Sequence, residues 1–371
     1  MKIVVNASPG QLALYRLLAD AEDEIVAGVK EDRDFGLLSG HGVCGVYQEG
    51  KMAECLLLAE AVRETMRRHS IPADVLTVVI GTAALAKAFA DVFADVKACS
   101  PNGEPGCLSL EDLYSLDEPV VLVNLTAIGA LPDQDRAPAE ISRIRKPAGV
   151  VDCVAHPYRT RLQFEAKCAG LPYCGGLAVE TTIAAKELRL AKGKDFSDDQ
   201  LLQAEQDAVR ESRNIVIIGM PTSGKTTLSS LLSGISTRPV IEMDEMIEKK
   251  LGMSIARCFA EKGEEYFRDA ETQAAKDLRG LSGCIISCGG GVIKRRENMR
   301  YLSENGLIIL IDRNLEKLFP SDERPLSSSR QAIRRLYEER KTLYRLYHDL
   351  TVDNNADPES AAAALKKLSG I

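Results

Sequence analysis

The stretch from Asn214 to Ser230, Asn-Ile-Val-Ile-Ile-Gly-Met-Pro-Thr-Ser-Gly-Lys-Thr-Thr-Leu-Ser-Ser, constrains the fold more than any other part of the chain. Ile215 to Ile218 is an unbroken β-branched run, the pattern of a strand buried on both faces and so of a parallel sheet covered by helices. Gly219, Gly224, Lys225 and Thr226 then satisfy G-x-x-x-x-G-K-[ST] between that strand and a helix start. The two glycines let the backbone fold around an anion, the amides from Ser223 to Thr227 point inward, and the new helix adds its positive end. Lys225 supplies a mobile cation for β- and γ-phosphates, and the Thr226 hydroxyl is placed to ligate Mg²⁺. The expected nucleotide contacts are Gly219, Thr222, Ser223, Gly224, Lys225, Thr226 and Thr227.

With 371 residues the chain has room for two domains of ordinary size, each with its own core. Its 47 basic and 54 acidic residues give a net charge of -7, which leaves no basic footprint for nucleic acid. The first six residues turn polar too soon for a signal peptide, and no apolar run reaches membrane-spanning length, so a cytoplasmic protein without a membrane partner is expected. Ten cysteines occur without a C-x-x-C pair and read as reduced, mostly buried small apolar residues. His41, His69, His156 and His348 are scattered singly and receive no role.

In the N-terminal part, Lys2 to Asn6 reads as a strand, Pro9 to Ala21 as a helix opened by Ser8, and Gly42 to Tyr47 as a second strand. Leu57, Leu58, Ala61, Val62 and Met66 recur at helical spacing within Ala53–His69, and Ile71-Pro72 ends that helix. Val75 to Ile80 is a buried strand followed by Gly81 and a helix to about Phe93. This βα unit stands where a dinucleotide fingerprint would, yet it has one glycine where pyrophosphate binding wants two or three. A structural turn is therefore expected, and NADP is not an expected cofactor. Val120–Asn124 and Val150–Val154 are further strands, separated by a charged loop from Asp133 to Lys146. Ala184 to Leu190 reads as a helix, and Ser197 with Gln200 forms a capping box for another that runs to about Arg210. The fold class is α/β with two domains: a Rossmann-like parallel-sheet domain over 1–208 and a P-loop domain over 213–371.

Downstream of the P-loop, Pro239 to Asp244 reads as a strand whose alternation sends Glu242 and Asp244 to one side. At the carboxyl end of a parallel strand such a pair can hold Mg²⁺ through water and accept a proton from a hydroxyl nucleophile. Gly263 to Glu271 opens a helix in which Glu271, three residues beyond Arg268, can hold its guanidinium. Cys284 to Cys288 is a strand running into Gly289-Gly290-Gly291, whose bare amides suit a small oxygen-rich ligand. Pro320 to Ser329, with Arg324-Pro325-Leu326, is a polar loop able to close over a nucleotide. In the helix from Gln331 to Tyr347, Arg340 lies in line with the apolar seam of Ile333, Leu336, Tyr337, Tyr344 and Tyr347. A cation facing inward needs an anion, either a structural carboxylate or a ligand.

Taken in this order, the motifs from Arg213 to Ile371 resemble the shikimate kinases, of nucleoside-monophosphate-kinase-like fold. The resemblance implies phosphorylation of the shikimate 3-hydroxyl by Mg-ATP, in aromatic amino acid biosynthesis. Asp244 would bind and activate that hydroxyl, and Arg268, Gly290 and Arg340 would hold the substrate's hydroxyls and carboxylate. Lys225 and Arg324 would act on the ATP phosphates, and Thr226 and Glu242 on the metal. This sequence departs from the family at Glu242, where Asp is usual, at Thr222, which replaces a P-loop glycine, and at Ala356, where an arginine often helps to hold adenine.

A second resemblance, over roughly Val75 to Lys192, is to the NADP domain of shikimate dehydrogenases. It rests on Val120 to Gly129, Gly149 to Leu162 and Gly175 to Val179. That family's catalytic-lysine string and Asn-Thr-Asp string have no match here, and Thr181 stands where the family has a substrate-binding glutamine. The expected domain is a degenerate, non-catalytic one, used for docking, homo-oligomerisation or metabolite sensing. Three alternatives stay open: a bifunctional NADP-dependent shikimate dehydrogenase and kinase, a P-loop kinase of another small hydroxy acid such as gluconate, and a nucleotide-dependent regulatory module.

Overall fold

A computed structural model describes residues 2–5, 24–27, 51–320 and 329–370. The expected helix over Pro9–Ala21 and strand over Gly42–Tyr47 lie outside these residues, as does Arg324. The chain divides into two compact units, Met1–Ala208 and Val209–Ile371.

The first unit contains a two-stranded parallel ribbon of β1 (Lys2–Val5) and β2 (Glu24–Ala27), with Lys2 opposite Glu24. Its main sheet holds β3 (Leu76–Ile80), β4 (Val96–Cys99), β5 (Val120–Asn124), β6 (Pro147–Asp152) and β7 (Tyr173–Gly175). All pairings are parallel and the order is β4-β3-β5-β6-β7, a doubly wound, Rossmann-like arrangement. Successive residues point to opposite faces, and each face has its own core. Val79, Val121, Val123 and Val151 pack with Val62, Met66 and Phe89 on one side. Val78, Ile80, Leu122 and Val150 pack with Leu113 and Leu162 on the other.

Two helices of this unit differ from the sequence reading. The one after β3 stops at Phe89, and the one read from Ala184 starts at Gly176 and runs to Lys192. Gly176 sits so close to the backbone of Cys153 to Ala155 that a Cβ would collide with it, which brings this helix start up against the chain leaving β6. At the carboxyl ends of β5 and β6, buried Asp152 accepts hydrogen bonds from Asn124, Thr160 and the Val154 amide. The turn at Gly81 carries Thr82 as an N-cap for the helix behind it, its hydroxyl accepting from the Leu85 amide at 3.3 Å.

The second unit contains β8 (Asn214–Ile218), β9 (Val240–Glu242), β10 (Ile285–Ser287), β11 (Gly306–Asp312) and β12 (Leu350–Asp353). The sheet is again fully parallel, ordered β12-β11-β8-β10-β9. Ile215, Ile217, Ile309 and Val352 bury one face against Leu228 and Leu232 of the Lys225–Gly234 helix and Leu365 of the Pro358–Ser369 helix. Central β8 has β10 on one side and β11 on the other, so the loops leaving all three open at the same edge. Parallel sheets bind ligands at such a switch of direction.

Candidate active site

The loop after β8 has the dihedral pattern its sequence requires. Gly219 and Gly224 have φ of 154° and 96°, and Thr222, in a glycine's place, keeps a left-handed φ of 62°. A β-branched residue there is strained by about 1–3 kcal/mol. Its hydroxyl donates to the Pro221 carbonyl at 2.7 Å and accepts from the Phe319 amide at 3.3 Å. A side chain on Gly224 would run into Asn354, whose Nδ2 donates to the Ser223 carbonyl at 2.7 Å. Lys225 is buried, its Nζ donating to the carbonyls of Gly219 and Met220 at 3.1 and 2.9 Å.

The strand reading of Pro239–Asp244 needs correction. β9 ends at Glu242, and Asp244 lies in the first turn of a helix, Met243–Leu251. Met243 and Ile247 bury an i, i+4 stripe, while Asp244 and Glu245 suit the positive end of that helix, so helical periodicity overrides strand alternation. The two carboxylates therefore take different stations. Glu242 faces the P-loop helix: Thr226 Oγ1 lies 3.3 Å from its Oε2, and Ser229 Oγ donates to its Oε1 at 2.8 Å. Asp244 turns toward the glycine run after β10, where its Oδ1 occupies the space a Gly289 side chain would need.

That run is a packing requirement at every position. A Cβ on Gly290 would meet the Pro221 ring at 2.8 Å, and one on Gly291 would strike the Arg268 guanidinium. Arg268, on the Glu264–Asp277 helix, is 5% exposed and donates to Glu271 at 2.8 Å and to Glu264 at 3.1 Å. Burial pushes the carboxyl of Glu271 up against the pull of Arg268, while Lys294, with Arg268, holds that of Glu264 down. Arg340 is 2% exposed and its Nη1 donates to the Gly290 carbonyl at 2.8 Å, while Nε and Nη2 are buried with no acceptor among the described residues. The Tyr344 hydroxyl lies 2.6 Å from the Gly290 carbonyl and 2.8 Å from that of Gly219, so one side chain touches both the nucleotide loop and the glycine run.

The sequence places Tyr344 in the apolar seam and in the Arg340-x-x-x-Tyr344 motif of the family resemblance, and gives no sign of the two bonds its hydroxyl makes. Sequence reasoning also passed over Glu264, which the i, i+4 spacing to Arg268 could have shown. Ser229 and Asn298, which lies 3.4 Å from Glu271, carry no local signal because their partners come from other elements.

A phosphate-binding loop, a carboxylate and two inward arginines around three consecutive glycines define the Val209–Ile371 unit as a P-loop α/β domain of the small-molecule kinase class. The shikimate kinase family model matches residues 221–369. A shikimate kinase of Clostridium beijerinckii is 41% identical over 158 residues, which span 42% of this chain and 93% of that protein. The chain belongs to the shikimate kinase family. A crystal structure of shikimate kinase from Aquifex aeolicus is 35% identical, with a TM-score of 0.38, covering 42% of this chain and 95% of that one. Shikimate dehydrogenase 1 from Peptoclostridium difficile is 15% identical with a TM-score of 0.43, covering 56% of this chain and 96% of that one.

Proposed function

We propose that this protein transfers the γ-phosphoryl group of ATP to the 3-hydroxyl of shikimate. The observation that carries this reading is the convergence on Gly289 to Gly291 of Asp244, Arg268, Arg340 and Tyr344, next to the P-loop. Two buried guanidiniums suit a small carboxylate with neighbouring hydroxyls, and the unpartnered donors of Arg340 await such an anion. Asp244 receives the hydroxyl proton as the oxygen attacks the γ-phosphorus and the bond to the β-phosphate oxygen breaks, releasing ADP. Lys225 leaves its own loop's carbonyls for the phosphates. Arg324, assigned through the family resemblance alone, lies outside the described residues and is proposed as a further cation for the phosphates.

Thr226 and Glu242 fit Mg²⁺, a hard cation that needs few protein oxygens beside phosphate and water. When bound it neutralises charge on the transferring group. The Thr226 hydroxyl keeps its lone pairs for a cation while its proton goes to Glu242.

Asp244→Asn tests the mechanism. Turnover is expected to fall on the order of a thousandfold, while ATP binding followed by calorimetry stays intact. Near-normal turnover in the variant would remove Asp244 from the mechanism.

A further inference from the structure

Ser229 lies one turn into the P-loop helix, three residues after Thr226, and is 0% exposed. A hydroxyl has one proton to give, and two acceptors compete for it: the Thr226 carbonyl at 3.0 Å and Glu242 Oε1 at 2.8 Å. The charged acceptor is the stronger and the nearer. Glu242 starts the next helix as its N-cap residue, yet its side chain makes no capping bond. Its Oε1 is held by Ser229, which leaves Oε2 turned to the Thr226 hydroxyl at 3.3 Å. A glutamate has one more free torsion than an aspartate, and an untethered carboxylate at this partly exposed place would populate several rotamers.

We propose that Ser229 is a positioning residue that orients Glu242 toward the cation of a bound metal-nucleotide complex. The proposal rests on the nucleotide site of the proposed function but not on the identity of the acceptor. Partners that orient a metal-binding carboxylate typically change metal affinity by about 10–100-fold when removed.

The experiment uses the full chain, ATP and MgCl₂, with no acceptor present. ATP binding is followed by calorimetry at rising Mg²⁺, and thermal unfolding is measured in parallel. Ser229→Ala is expected to raise the Mg²⁺ concentration for half-maximal tightening of ATP by about tenfold, with metal-free ATP binding unchanged. In a Glu242→Gln background the same substitution is expected to add nothing, because its effect runs through the carboxylate. Alanine favours the helix, and Ser229→Gly carries the same prediction should the alanine variant fold poorly. An unchanged Mg²⁺ requirement would overturn the proposal. So would an equal loss of metal-free and Mg²⁺-dependent binding, or an undiminished effect in the Glu242→Gln background. Failure of wild-type protein to use shikimate would count against the proposed acceptor alone.

Discussion

Arg340 holds two buried donors without an acceptor among the described residues, each a cost of about 1–3 kcal/mol when left unmade. A carboxylate ligand would remove that cost, with Nη1 already anchored on the Gly290 carbonyl. The inward position of Arg340 was legible in the seam Ile333, Leu336, Tyr344, Tyr347. Its anchor was not, because the partner carbonyl lies 50 residues away in sequence. The first unit buries an ionisable group of another kind. Burial alone raises the carboxyl of Glu180 to about 8. A carboxyl whose folded value is raised contributes stability that is complete below its unfolded value of 4.5 and lost as pH climbs through about 8. Glu180→Gln is expected to flatten this decline, whose slope reaches about 1.4 kcal/mol per pH unit. Urea unfolding of wild type and variant from pH 5 to 9 checks it, and parallel pH profiles would exclude titration of Glu180.

At the scale of elements, the glycine run shows why three neighbouring residues without side chains have unequal sensitivities. A Cβ at Gly289 or Gly291 meets the side-chain ends of Asp244 and Arg268, whereas one at Gly290 meets the stiff ring and backbone nitrogen of Pro221. Gly289→Ala and Gly291→Ala are therefore expected to cut kcat/KM by more than about tenfold with a smaller change in Tm, since they displace the side-chain ends that the proposed function uses rather than backbone. Gly290→Ala should lower Tm first, by overpacking worth about 1–3 kcal/mol. Equal Tm losses across the three variants would contradict this division. The strands were legible wherever β-branched runs met glycine or a charged loop, as at β5 and β8. The stations of Glu242 and Asp244 were not, because the six residues from Pro239 to Asp244 cannot distinguish the end of a strand from the first turn of a helix. The stripe that decides it begins at Met243 and needs Ile247 to be recognised. The early start of the Gly176–Lys192 helix escaped for a related reason, since its cause is contact between Gly176 and a chain segment some twenty residues earlier.

At the scale of the molecule, the two units differ in the βα turn that follows the first strand of each five-stranded sheet. In the second unit the turn after β8 has Gly219 and Gly224 at positive φ and Lys225 behind them. In the first, Gly81 stands alone after β3, and a Cβ there would meet the Leu85 side chain at 3.3 Å. Asp152 there accepts from Asn124, Thr160 and the Val154 amide, and the Asn124 carbonyl oxygen accepts from Thr126. We propose that the first unit has no dehydrogenase activity; incubation with shikimate and NADP is expected to give no rise in NADPH absorbance, and a shikimate-dependent rise would restore the bifunctional alternative. No helix among the described residues is long and apolar enough to cross a membrane. The central claim concerns the acceptor, which a P-loop alone does not name and which the proposal assigns to Asp244, Arg268 and Arg340. A coupled ADP-release assay on the full chain with Mg-ATP and either shikimate, gluconate or no acceptor tests it most directly. ADP release well above background with shikimate alone is the predicted result, and release that is equal with gluconate, or absent with shikimate, would contradict it.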